Sequence, residues 1–172
     1  MKVIGFAGWS GSGKTSLIER VIGVLTQRGV VVSLIKHAHH TFDIDHQGKD
    51  SWRHRTAGCR EVLVSSERRW SIVHELRNEE EMPLDALLAQ LSHCDLALVE
   101  GFKHAPIPKI EVFRAEVGAP LLFPTDPHII AIATDSEVDT GLPRLDINDP
   151  VKVADFVARY ALREASVSDP VV

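Results

Sequence analysis

Cysteine is nearly absent. Cys59 and Cys94 are the only two in 172 residues, and they lack C-x-x-C spacing. That excludes a disulfide-stapled secreted scaffold, and both read as reduced thiols of a cytosolic protein. Excess positive charge is missing as well: the net charge is −5, and basic clusters such as Arg53/Arg55 and Arg68/Arg69 are short and local. The chain therefore has no general attraction to nucleic acid. No apolar run approaches the length of a membrane span, and Met1–Ala7 is too short to serve as a signal peptide. Internal repeats and interdomain linkers are absent too, so residues 1–172 read as one domain with a tail over 166–172. What remains, 44% apolar and 25% charged, is the composition of an ordinary globular protein.

Against that plain background one stretch carries a definite chemistry. Gly8-Trp9-Ser10-Gly11-Ser12-Gly13-Lys14-Thr15 fits G-x-x-x-x-G-K-[ST]. The apolar run Val3–Ala7 precedes it, and Leu17, Ile18, Val21, Ile22 and Leu25 follow at helical spacing. Strand, loop and helix in that order form the context of a phosphate-binding loop. Backbone N–H groups turn inward around phosphate oxygens, and the helix N-terminus adds partial positive charge. Lys14 is expected on the β- and γ-phosphates and the Thr15 hydroxyl on Mg²⁺.

The first helix is expected over 14–27, ended by Gly29. Val30–Ile35 reads as a buried parallel strand. At its carboxyl end, where open α/β sheets hold ligands, lies a segment from Lys36 to Asp50 containing His37, His39, His40 and His46 together with Asp43 and Asp45. Three readings stay open: a nucleotide- or Mg²⁺-sensing loop with Asp43 and Asp45 as ligands, a transition-metal site, or a solvated loop. Asp50–Gly58 reads as a short helix with Trp52 and Ala57 inward and Arg53, His54 and Arg55 outward. Residues 61–66 and 69–74 read as a hairpin, and 83–91 as a helix with proline in its first turn.

Asp95-Leu-Ala-Leu-Val-Glu100-Gly101-Phe-Lys103 is the second informative stretch. An apolar strand ending in a carboxylate suits the second nucleotide motif, whose acid holds Mg²⁺ directly or through water; Glu100 is the candidate. Lys109–Arg114 alternates polar and apolar and reads as a half-exposed strand, antiparallel or at an edge. His128–Ala133 is a buried strand followed by Asp135, which is either a guanine reader without the usual N-K-x-D pattern or a plain turn acid. Residues 149–165 form an amphipathic helix capped by Asp149. The fold class is α/β, a three-layer sandwich of the P-loop NTPase type: a mostly parallel sheet with an antiparallel hairpin and edge strands.

The AGWSGSGKT loop, LIKHAHH with DIDHQGKDS after it, LALVEGFKH and LDIND together resemble the MobB family of molybdopterin-guanine dinucleotide biosynthesis adapters, over nearly the whole chain. The resemblance implies a cytoplasmic homodimer that binds GTP and Mg²⁺, with weak GTPase activity. The partner it implies is the guanylyltransferase that joins GMP to molybdopterin. It maps phosphate contacts to Gly11, Ser12, Gly13, Lys14, Thr15 and Ser16. Relatives of this class often carry a second lysine early in the loop; here that place is Trp9. Lys36, His37, His39, His40 and Lys103 are candidates for a loop that meets partner or molybdopterin. No arginine lies within or beside the nucleotide motifs, so unassisted turnover below about 0.1 s⁻¹ is expected. A metal-delivering GTPase and a small-molecule kinase are the competing functions.

Overall fold

A computed structural model describes residues 1–38 and 42–163. His39 and His40, the last turn of the expected C-terminal helix and the expected tail lie outside the described residues. The chain divides into two compact units, Met1–His37 with Leu84–Val172, and Ala38–Pro83.

The larger unit is built on six parallel strands in the order β2-β5-β1-β6-β7-β8. They are β1 (Lys2–Ala7), β2 (Val32–Lys36), β5 (Leu96–Glu100), β6 (Lys109–Phe113), β7 (Ile129–Thr134) and β8 (Arg144–Asp146). Its helices are α1 (Lys14–Gln27), α3 (Leu84–Ala89) and α4 (Pro150–Arg163). Parallel pairing sets all six carboxyl ends along one edge: Lys36 and Phe6 both stand opposite Glu100, and Thr134 lies opposite Phe113 and Asp146. The chain therefore leaves Ala7, Lys36, Glu100, Phe113 and Thr134 on the same side, where such sheets bind ligands.

Period-2 strands and period-3.6 helices make the core. Ile4, Phe6, Leu96, Leu98, Ile110, Val112, Ala131 and Ala133 cluster with Leu17, Ile18, Val21 and Leu25 of α1 and Val153, Ala154 and Val157 of α4. Helix α1 ends as expected at Gly29: the Val30 amide donates to the Leu25 carbonyl and the Gly29 amide to that of Thr26, a Schellman closure. Helix α4 starts at an Asp149 cap, whose carboxylate accepts from the Lys152 amide at 3.1 Å.

Two sequence expectations fail here, for one reason. Strand β6 is neither antiparallel nor at an edge, but parallel to both β1 and β7 and internal. Its polar residues Lys109 and Glu111 are buried, at 1% and 0% exposure. Loop backbone, rather than solvent, meets them. Lys109 Nζ donates to the carbonyls of Lys103 and Ala105 at 2.9 and 2.7 Å and pairs with Asp126 at 2.8 Å. Glu111 accepts the amides of Leu122 and Phe123 at 2.7 and 2.9 Å. The short β8 is not among the strands expected from the sequence.

The smaller unit holds α2 (Asp50–Thr56) and the antiparallel hairpin of β3 (Glu61–Ser65) and β4 (Trp70–His74). Arg55, expected outward, is instead its polar centre: only 12% of the side chain is exposed. Its Nε donates to Asp45 at 2.7 Å, its Nη2 to both oxygens of Asp43 at 2.8 Å, and its Nη1 to Glu75. Ala57, expected inward, is exposed. Three carboxylates raise the Arg55 pKa further above its already high value, through hydrogen bonds to Asp43 foremost.

Candidate functional site

The loop between β1 and α1 is shaped by close backbone approach. At Gly8 the backbone has φ +150°, and an added Cβ would lie 2.4 Å from the Val112 carbonyl oxygen. No side chain fits there. The loop then enters α1, where the Leu17 amide bonds back to the Gly13 carbonyl at 3.0 Å. The amides of Lys14, Thr15 and Ser16 thus occupy the open first turn of a helix, with the positive end of its dipole. Ser12 is buried at 2% exposure, and its hydroxyl has no hydrogen-bond partner among the described residues. A buried hydroxyl without a partner is costly, and a loop with such a group has capacity for an oxygen-rich ligand.

Glu100, only 6% exposed, stands where the sequence places it, at the carboxyl end of β5. It accepts a hydrogen bond from the Thr15 hydroxyl at 2.6 Å across 85 residues of chain. Lys36 Nζ lies 3.6 Å from its other oxygen. Hydroxyl and carboxylate together are hard oxygen donors suited to Mg²⁺. These two residues fit that ion as the ones that would hold it; the ion would supply charge neutralisation at a phosphate.

Lys14 Nζ donates to the Trp9 carbonyl at 2.7 Å. Burial lowers the pKa of Lys14; Glu100 opposes this, and the charges of Lys103 and Lys36 add to it. Lys103 Nζ rests 3.8 Å from the centroid of the Trp9 ring. Lys36 thus stands on the Glu100 carboxylate, while Lys14 and Lys103 both meet Trp9, one at its carbonyl and one at its ring. Lys103 gets there through a sharp turn: Gly101 and Phe102 have φ +98° and +36° in succession, and the His37 amide bonds to the Glu100 carbonyl at 2.9 Å. A Cβ on Gly101 would meet His37 Cβ at 2.8 Å. Gly101→Ala is expected to lower stability by about 1–3 kcal/mol. Gly23→Ala, in the open interior of α1 with nothing near, is expected to raise it by about 0.4–1 kcal/mol. Thermal unfolding of the pair checks both signs.

The other flank of the loop corrects a sequence expectation. An arginine does lie beside the nucleotide motif: Arg114, just past β6, lines a cleft with Gly11, Gly13, Ser16, Arg20 and Ile147. Its Nη1 donates to Asp135 at 2.8 Å, and the Ser136 hydroxyl donates to the same carboxylate at 3.1 Å. Reading β6 as a half-exposed edge is what hid it. Asp43 and Asp45, the other expected Mg²⁺ ligands, are engaged by Arg55 within the smaller unit. Among the described residues, no three His, Cys, Asp or Glu side chains gather as a metal site, and no helix is long and apolar enough to cross a membrane.

A parallel sheet with this strand order, a G-x-x-x-x-G-K-T loop after β1 and a carboxylate on the Thr at the end of β5 defines an α/β protein of the P-loop type. The family described as "Molybdopterin guanine dinucleotide synthesis protein B" matches residues 3–135, and the chain belongs to it. It is 42% identical over 165 residues to the molybdopterin-guanine dinucleotide biosynthesis adapter protein of Escherichia coli, covering 94% of each chain. It is 41% identical to that of Haemophilus influenzae, over 92% of this chain and 88% of the other. The crystal structure of Bacillus subtilis MobB superposes with a TM-score of 0.73 at 26% identity, over 92% of this chain and 97% of that one.

Proposed function

We propose that the protein is a GTP-binding adapter in molybdopterin-guanine dinucleotide biosynthesis, assisting the guanylyltransferase that transfers GMP to molybdopterin. The observation that carries the nucleotide part is the 2.6 Å Thr15–Glu100 hydrogen bond at the mouth of the loop. It supports a Mg²⁺ site beside the phosphates, with Gly8, Gly11–Ser16 and Lys14 around the polyphosphate. The biosynthetic part is supported by the adapter relatives at 42% and 41% identity. Hydrolysis is proposed to be weak, since the Arg114 guanidinium is committed to Asp135 rather than free to act as a finger. A homodimer is proposed as well: Leu63, Trp70 and Ile72 share one face of the hairpin and are 60%, 64% and 47% exposed. A two-stranded hairpin needs such a face covered to be stable.

Asp135 is the proposed guanine reader, its carboxylate oriented by Arg114. Calorimetric titration with GTP and ATP, each with Mg²⁺, tests the reading: the wild type is expected to prefer GTP. Asp135→Ala is expected to narrow that preference by about tenfold or more, the loss of one charge-assisted hydrogen-bond set. An unaltered ratio would remove Asp135 from the site.

A further inference from the structure

We infer that Lys103 is a sensor of the terminal phosphate, stored on the indole of Trp9 and drawn off it when a triphosphate enters the loop. The inference rests on the nucleotide reading above and adds a residue, and a discrimination between triphosphate and diphosphate, that the motif does not contain.

Trp9 holds two ammonium groups by different means. Its carbonyl accepts from Lys14 Nζ at 2.7 Å, and its ring face carries Lys103 Nζ at 3.8 Å. The ring is fixed, because its Nε1 donates to the Pro120 carbonyl at 2.7 Å. Neither contact puts the ammonium on an anion. Both are weaker than the charge-assisted hydrogen bond that a phosphate oxygen offers. The two lysines also repel each other, being like charges held against the same residue. An arriving polyanion relieves that repulsion and offers each a better partner.

The backbone beneath Lys103 is built for a side chain that moves while its root stays still. The left-handed pair Gly101–Phe102 turns the chain. The buried Lys109 ammonium then holds the Lys103 carbonyl at 2.9 Å. With its Cα pinned, the flexible four-carbon stem of Lys103 is what remains free to swing. Lys36 differs: its ammonium already lies 3.6 Å from the Glu100 carboxylate and gains less from a phosphate. Lys14 reaches the β- and γ-phosphates from within the loop, and a cation from outside the loop adds a second contact at the γ-phosphate, which a diphosphate lacks.

The test uses the full chain with Mg²⁺ and compares GTP and GDP affinities for wild type, Lys103→Ala and Lys103→Arg. Lys103→Ala is expected to lower GTP affinity by about tenfold or more and to leave GDP affinity within about twofold. Lys103→Arg is expected to restore part of the difference, since a guanidinium also binds both an indole face and a phosphate. In a Trp52→Phe/Trp70→Phe background, which leaves Trp9 as the reporter, GTP is expected to change the emission more than GDP. Lys103→Ala is expected to abolish that contrast. Equal losses for GTP and GDP, or no loss for either, with the wild type binding both, would overturn the sensor role while sparing the nucleotide reading. A wild type that binds neither would overturn the nucleotide reading, and the sensor with it.

Discussion

Replacing Lys109 with alanine is expected to lower the free energy of unfolding by about 3–5 kcal/mol, the cost of breaking a buried ion pair from one side. The side chain is 1% exposed, and its ammonium satisfies three acceptors at once: Asp126 and the carbonyls of Lys103 and Ala105. Its stem also fills the space above Gly5, where an added Cβ would fall 2.6 Å from Lys109 Cγ. Truncation leaves all three acceptors short of a donor and opens a gap against β1. Lys109→Met separates the causes. It keeps the stem but removes the charge, so it should be intermediate; a methionine variant as stable as wild type would show that packing alone matters.

Acid should erase much of this difference. Burial pushes the Asp126 carboxyl up, but Lys109 and the His128 amide outweigh that and hold its pKa below the ordinary carboxylate value. A depressed folded pKa contributes stability that is present above the unfolded value and is lost as pH falls through the folded one. The gap between wild type and Lys109→Ala is therefore expected to be full near neutrality and to shrink below the usual aspartate range. Chemical denaturation across that pH window checks it, and a gap that widens in acid would contradict the pairing.

The second large effect is functional. Lys14→Ala is expected to weaken GTP binding by about 1.5–3 kcal/mol, or roughly 10- to 150-fold, with the fold retained. Lys14 is half-buried at the start of α1, and its ammonium donates to the Trp9 carbonyl 2.7 Å away. Removing it takes a single cation from a helix N-terminus that tolerates alanine, so stability should change little. Far-ultraviolet circular dichroism and calorimetry on the same sample separate the two effects. Undiminished GTP affinity would mean that the phosphates sit elsewhere.

Local sequence carried the larger unit well where the signal was itself local. The strand before Gly8, the spacing of Leu17, Ile18, Val21 and Leu25, the closure at Gly29 and the cap at Asp149 each depend on a few neighbouring residues. The place of Glu100 at the carboxyl end of its strand was legible because the apolar run 96–99 stops at Glu100-Gly101. Lys109 and Glu111 were not. Their alternation with Ile110, Val112 and Phe113 imitates an exposed face, and only the distant segments 103–105 and 122–126 make burial acceptable. That error also concealed Arg114 one residue beyond the strand. Arg55 was misread likewise: nothing in DSWRHRT signals that Asp43, Asp45 and Glu75 will close on its guanidinium.

A crystal structure of the protein grown with a non-hydrolysable GTP analogue and Mg²⁺ decides whether the loop after β1 holds the phosphates. The triphosphate is expected to be wrapped by the backbone of Gly8–Ser16, with Lys14 on its β- and γ-phosphates and the metal between Thr15 and Glu100. An analogue bound away from that loop, with Thr15 still hydrogen-bonded to Glu100 and Lys14 still on the Trp9 carbonyl, would contradict it.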